Sequence, residues 1–278
     1  MVPVSLKVDP DTCCPLAAVT DEVARRAARG LRPQVVFDLD DTLFLVRPRK
    51  QAIFRELAGT VEAHPEVAAA LVALATGPIP YDVVEALRLV GIQDEHQQRA
   101  LQSAFYDRFL HGAYTRHDAI NLGAAGYVSR LAEVGARIIY LSGRPEEMTD
   151  DTRGTLEAGG FPVPGREATL VLKAAQDKHV GDVEYKRLQA LRLAAEAPCA
   201  AVFDNEPANL NAIHAAMPEA RYFLLETDHS PSPPPLAMAV HRLKDFLPAR
   251  PSLGGAVLAA PSLSGGLLEI SVSTLPPS

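Results

Sequence analysis

Five short apolar runs, at residues 35–37, 137–141, 168–172, 200–203 and 221–225, constrain this chain more than any other feature. Each is rich in Val, Ile, Leu, Phe or Tyr and too short for a helix, so each reads as a strand buried on both faces. Helical patterns separate them, at residues 119–135, 145–160, 183–197 and 207–217. Strands that are apolar on both faces need cover on both, and helices between them supply it. The expected fold is α/β: a doubly wound, Rossmann-like parallel sheet.

One stretch breaks the alternation. From Arg47 to His117 there is no convincing strand, only helical segments. The clearest runs from Asp94 to Gly112: Asp94 with Gln97 forms an N-terminal signature, Leu101, Phe105 and Phe109 recur every four residues, and Gly112 is the expected stop. This predicts a helical insertion at residues 49–117 within a core made of residues 34–48 and 118–247. Residues 1–33 read as an N-terminal helical extension, with a helix capped by Thr20 or Asp21 and ended by Gly30. Residues 239–246 read as a last short helix, and the Pro-, Ser- and Gly-rich residues 248–278 as a low-complexity tail.

Charge narrows the partners. A net charge of -7 offers no basic surface for nucleic acid, and the insertion with its edges, Arg49 to Asp118, holds seven Lys and Arg against nine Asp and Glu. No apolar run approaches the about 18 residues that span a bilayer. The N-terminus has no basic segment followed by an uninterrupted apolar one, so no secretory leader is expected. Cys13, Cys14 and Cys199 cannot all pair within the chain. The expectation is reduced thiols in a cytoplasmic protein that binds neither nucleic acid nor membrane.

The chemistry concentrates at strand ends. Asp38 and Asp40 follow the first buried run, with Asp41 and Thr42 behind them. Ligands of open parallel sheets bind at the carboxyl ends of the strands, and two carboxylates one residue apart can enter the same crevice there. One can serve as nucleophile or metal ligand and the other as acid and base. Ser142, Gly143 and Arg144 follow the second run and lead into a helical pattern, which predicts an anion site. Asp204, Asn205 and Glu206 follow the fourth. Each cluster alone would pass for a turn or a helix cap. Together they place an oxygen-rich, metal-competent set beside an anion cradle.

These residues resemble the haloacid dehalogenase-like hydrolase superfamily. FDLDDTLF at Phe37, LSGR at Leu141, a lysine before a helix, and FDNEPAN at Phe203 match its four motifs, and the insertion lies where that superfamily often carries a helical cap. GFP at Gly160 is similar to the acid-phosphatase-like branch, with a small helical cap. The resemblance implies a magnesium-dependent phosphatase acting on a small phosphorylated substrate. Asp38 would attack phosphorus and Asp40 would serve as acid and base. Thr42, Ser142, Gly143 and Arg144 would hold the phosphoryl group. Mg²⁺ would bind Asp38, the Asp40 carbonyl and Asp204.

The lysine is one of Lys173, Lys178 and Lys186; Lys186 is preferred because it stands near the start of the helix feeding the Asp204 strand. Asn205 stands where the superfamily commonly has a second Asp, which weakens rather than abolishes metal binding. Asn209 is expected to cap or face solvent, with a place in the same outer shell as the alternative. His111 and His117 are not spaced as a zinc site. A phosphomutase or phosphotransferase, in which a hydroxyl replaces water, is the alternative within phosphoryl transfer. A catalytically silent phosphate-binding protein is the alternative outside it. Dehalogenation has no use for Asp40, and Lys50, the insertion's one lysine, is poorly supported as the Schiff-base lysine of a phosphonatase.

Overall fold

The computed structural model describes residues 14–61 and 64–247. The expected tail at residues 248–278, Cys13 and the first part of the N-terminal extension lie outside the described residues.

The described residues open with α1 (Pro15–Ala27) and β1 (Gln34–Phe37), then β2 (Phe44–Leu45). Four helices follow: α2 (Arg47–Thr60), α3 (Pro65–Thr76), α4 (Val83–Leu89) and α5 (Glu95–Phe109). A 3-10 turn at Gly112–His117 leads to β3 (Ala119–Ile120), α6 (Ala124–Glu133) and β4 (Arg137–Pro145). After them come α7 (Thr149–Ala158), β5 (Ala168–Lys173), α8 (Asp182–Glu196), β6 (Cys199–Asp204), α9 (Pro207–His214), β7 (Arg221–Leu225) and β8 (His241–Leu243).

The main sheet has the order β5-β4-β1-β6-β7-β8, with every pairing parallel. Successive side chains of a strand point to opposite faces, and the packing follows that period. Val35, Phe37, Ile138, Tyr140 and Phe203 pack with Leu16, Val19, Val128 and Leu156, under α1, α6 and α7. Val36, Ile139, Leu141 and Val202 pack with Tyr185, Leu193, Leu210 and Ile213, under α8 and α9. This is the doubly wound sheet expected of the five apolar runs.

The helices between β2 and β3 bury a separate cluster of their own, built from Ile53, Phe54, Leu57, Leu71, Leu74, Leu87 and Phe105. Phe54 and Phe105 rings stand 5.0 Å apart at its centre. The two ends of this helical segment are joined by the short antiparallel pairing of Phe44 with Ile120 and Leu45 with Ala119.

Several local expectations are corrected. The first helix starts at Pro15, not at Thr20 or Asp21. Proline suits the first helical position, and starting there lets Leu16, Val19 and Val23 bury at helical spacing. Thr20 lies inside the helix and donates its hydroxyl to the Leu16 carbonyl. The pattern at residues 119–135 begins as β3, and α6 starts only after Gly123, whose φ of 79° suits glycine. A Cβ on Gly123 would also meet the Phe246 backbone at 2.9 Å. The Asp94-capped helix ends at Phe109, three residues before the expected glycine stop. Residues 239–246 form no helix: His241 to Leu243 pair with Phe223 to Leu225. Without them β7 would leave its main-chain donors and acceptors open at the sheet edge.

Candidate active site

The order of the sheet puts β4, β1 and β6 side by side. Their carboxyl ends therefore bring Ser142, Asp38 and Asp204 together, at about 4.8 Å per strand. The Asp38 amide donates to the Phe203 carbonyl at 2.9 Å, which extends the β1–β6 ladder to the first aspartate. Beyond it the chain turns sharply. The Leu43 and Phe44 amides both donate to the Leu39 carbonyl, at 3.0 and 2.9 Å. Asp41 takes a φ of 55°, a left-handed conformation that Asp tolerates better than most residues. Its carboxylate accepts from the Val46 amide at 3.2 Å, closing the turn in front of α2.

Lys186, on the second turn of α8, joins the strand ends. Its ammonium donates to Asp38 Oδ1 and to Asp204 Oδ2, both at 2.6 Å, with the lysine side chain 3% exposed. The other two candidate lysines are engaged elsewhere: Lys173 donates to the Val180 carbonyl at 2.9 Å and to Asp182, and Lys178 to Glu147. Geometry thus selects Lys186 from the three. Burial, above all, raises the Asp38 carboxyl to about 7; Lys186 opposes this and Asp204 adds to it. Conversely the Lys186 ammonium is held above its ordinary range, because Asp204 and Asp38 outweigh burial.

Asp40 has a different environment. Arg49 donates to its Oδ1 at 3.0 Å, and Arg144 donates to the same oxygen through Nε at 3.0 Å and through a terminal nitrogen. Against the effect of burial, Arg144 and Arg49 hold the Asp40 carboxyl well below the usual carboxylate range. Both arginines also reach Asp118: Arg49 through Nε at 2.6 Å and a second nitrogen, Arg144 at 2.9 Å. The Arg49 guanidinium lies 4.7 Å from the Phe109 ring centre. Two carboxylates two residues apart are thus driven in opposite directions, Asp38 by desolvation and a like charge, Asp40 by paired guanidinium groups.

The remaining expected residues fall as follows. Ser142 is buried, and its hydroxyl accepts from the Arg144 amide at 3.3 Å. A Cβ on Gly143 would come 2.9 Å from the Asp182 carboxylate, the end of an exposed side chain that would have to shift to admit it. The helix N-terminus expected beside Ser142, Gly143 and Arg144 is absent from that place. β4 runs on to Pro145, which pairs with Lys173, a 3-10 turn follows at Glu146–Met148, and α7 begins at Thr149. Thr42 lies beneath the site, fully buried, with its hydroxyl donated to Asn205 Oδ1 at 3.3 Å. Arg144 borders the cavity, but its guanidinium is taken up by Asp40, Asp118 and Thr152.

Asn205 also donates to the Asp228 carbonyl at 2.6 Å. Asn209, expected to cap or face solvent, instead donates to Asp204 Oδ1 at 3.2 Å, and the Glu206 amide donates to the same oxygen at 2.9 Å. His111 caps the 3-10 turn through Nδ1, consistent with a structural use. Sequence reasoning missed Arg49 and Asp118. Their one signal was position: two charged residues at the two edges of a largely apolar insertion.

A cavity of about 800 Å³ opens over Asp38, Asp40, Ser142 and Lys186, and α2, α5 and the segment before α4 supply Lys50, Tyr81 and Phe105 to its wall. Its oxygen donors suit a hard cation. Asp38 and Asp204 are two buried carboxylates sharing one ammonium, so a positive ion beside them would offset the remaining charge. Among the described residues no group of three or more His, Cys, Asp or Glu could hold a metal. An ion here would therefore also draw on main-chain oxygen, water and ligand oxygens.

No protein-family model and no curated protein matches the chain. Solved structures do. One is a predicted phosphatase from Clostridium acetobutylicum, at 15% identity over 70% of this chain and 85% of that one, with a TM-score of 0.43. Another is a haloacid dehalogenase-like family hydrolase from Streptococcus pneumoniae, at 12% identity over 70% of this chain and 84% of that one, TM-score 0.41. A third is a class C acid phosphatase from Bacillus anthracis, at 16% identity over 73% of this chain and 66% of that one, TM-score 0.39. Among the described residues no helix is long and apolar enough to cross a membrane.

Proposed function

We propose that this chain is a magnesium-dependent phosphatase of the haloacid dehalogenase-like superfamily, hydrolysing a small phosphomonoester through an aspartyl-phosphate. The observation that supports this best is the bridge from Lys186 to Asp38 and Asp204. It gathers an anionic nucleophile, a second carboxylate and a fixed cation at one edge of one sheet.

In this reading the free oxygen of Asp38 attacks phosphorus, the bond from phosphorus to the leaving oxygen breaks, and Asp38 carries the phosphoryl group as an acyl phosphate. Ser142 and the Gly143 amide hold phosphoryl oxygens, and Lys186 offsets charge on the nucleophile and the group in transfer. Asp40 then takes a proton from water as the water attacks phosphorus, which releases inorganic phosphate and restores Asp38. Held by Arg49 and Arg144, Asp40 is ionised but a weak base in this arrangement, so taking the proton requires those contacts to loosen. The leaving oxygen takes its proton from solvent, because Asp40 could supply one only by first acquiring it against both arginines. The proton that Asp40 gains from water passes to solvent at the end of the cycle. Mg²⁺ would be held by Asp38, Asp204 and the Asp40 main-chain carbonyl, and when bound it supplies positive charge to the phosphoryl oxygens.

Phosphate release from a panel of phosphorylated metabolites, with Mg²⁺ and with chelator, tests this reading. Magnesium-dependent release abolished by Asp38→Asn supports it. Transfer of phosphate to an added alcohol without net release would favour a phosphotransferase. Binding without either would favour a silent phosphate-binding protein.

A further inference from the structure

Lys50 is unlike the other cations of the cavity. Lys173, Lys178, Lys186 and Arg144 each hydrogen-bond a carboxylate. Lys50 borders the same cavity, is 7% exposed, and among the described residues makes no hydrogen bond through its ammonium. The acidic groups facing it are Asp228, at 3.8 Å, and Asp41. Each has another partner: Arg47 lies nearer to Asp228, at 3.6 Å, and Asp41 accepts from the Val46 amide. The Tyr81 ring centre stands 5.6 Å from the ammonium and shields it on one side.

Its ammonium carries three donors, and none meets a protein acceptor within hydrogen-bond distance: the Asp228 carboxylate, its ion-pair partner, stands 3.8 Å away. The arrangement is that of a cation waiting for an anionic acceptor that enters with a ligand. The cavity is large enough for a ligand with a sizeable leaving group beside its phosphoryl end. We infer that Lys50 binds a second anionic group on the substrate, so that the preferred substrate is a phosphomonoester whose leaving portion carries a carboxylate or a further phosphate. This rests on the phosphatase reading above and specifies its substrate class.

The test compares matched pairs. Phosphoserine carries a carboxylate that phosphoethanolamine lacks, and glycerol bisphosphate carries a phosphate that glycerol phosphate lacks. The unmodified chain should favour the more anionic member of at least one pair, and the pair that responds identifies the group. In Lys50→Met that ratio of kcat/KM should fall by about tenfold to a hundredfold, as expected for a lost charged hydrogen bond. Lys50→Arg should restore most of it.

Lys50→Gln provides a second neutral variant if Lys50→Met does not fold. An unchanged ratio in the neutral variants would overturn the inference and leave Lys50 as a neutraliser of Asp41 and Asp228. No turnover of any ester, p-nitrophenyl phosphate included, would instead sink the phosphatase reading. Calorimetric affinities of the same pairs for the unmodified and Lys50→Met chains would still decide the role of Lys50. A tenfold preference lost in the variant supports it, and equal affinities overturn it.

Discussion

Arg49 and Asp118 stand 69 residues apart in the chain and meet in an ion pair with no side-chain exposure on either partner. Arg49 lies at the start of α2 and Asp118 directly after the 3-10 turn, so the pair closes the two ends of the helical segment. It closes them beside Asp40, which shares Arg49 and Arg144 with Asp118.

Breaking that pair from one side should cost stability. Arg49→Met leaves Asp118 buried with Arg144 as its remaining partner, and a loss of about 3 kcal/mol is expected. The double variant Arg49→Met, Asp118→Leu should be more stable than Arg49→Met alone. Chemical denaturation of the four members of the cycle measures this; additive losses would show that the pair is not coupled.

Asp38 and Asp40 should fail differently. Asp38→Asn should lose turnover by several orders of magnitude. Asp40→Asn should still be phosphorylated by p-nitrophenyl phosphate, whose leaving group needs no proton, and then stall. The signature is a burst near one equivalent per site and a label that hydroxylamine removes. A label on Ser142 would make the nucleophile assignment wrong.

Asp38 also sets a pH dependence of stability. Its carboxyl is raised to about 7 in the folded chain, chiefly by burial, against about 3.9 when unfolded. Between those values the folded state binds the extra proton, so stability falls as pH rises across that window. Asp38→Asn removes this titration. In chelator, its gain in Tm over the unmodified chain should be larger near pH 7.5 than near pH 4.5, values on either side of most of that range. An equal gain at both would contradict the shift.

Metal and lysine should be partly interchangeable in their effect on stability. Lys186→Met leaves Asp38 and Asp204 adjacent and buried with no cation between them, and should lower Tm by several degrees in chelator. Added Mg²⁺ should recover part of that loss, and Asp204→Ala should abolish the recovery. Melting curves with and without the ion check this independently of activity; a recovery that survives Asp204→Ala would remove that residue from the ion's coordination.

Much of the site was legible because its chemistry is local in sequence. Asp38 directly follows a buried strand and Asp204 ends another, and parallel strands that alternate with helices bring such ends to one edge. Lys186 could be preferred over Lys173 and Lys178 from its place before the Asp204 strand, but its bridge to Asp38 was not legible, since that depends on which helical turn faces β1 and β6. Thr42 sits close to Asp38 in sequence, yet the turn at Asp41 sends its hydroxyl to Asn205 beneath the site. Arg144 could be located at a strand end, but not assigned to Asp40, because the acceptor lies 104 residues away.

What the sequence determined by itself was what periodicity and short motifs encode: an α/β sheet buried on both faces, a helical insertion, and acidic and hydroxyl side chains at the strand ends. Those features depend on neighbouring residues and on the alternation of strand faces, which the order of residues specifies directly. Only the tertiary structure decided that Asp38 shares Lys186 with Asp204, that Asp40 is held between Arg49 and Arg144, and that Lys50 borders the cavity without a hydrogen-bonded partner. The reason is physical. The charge state of a buried group is set by which distant side chains displace its water, and those contacts join segments that no local pattern relates.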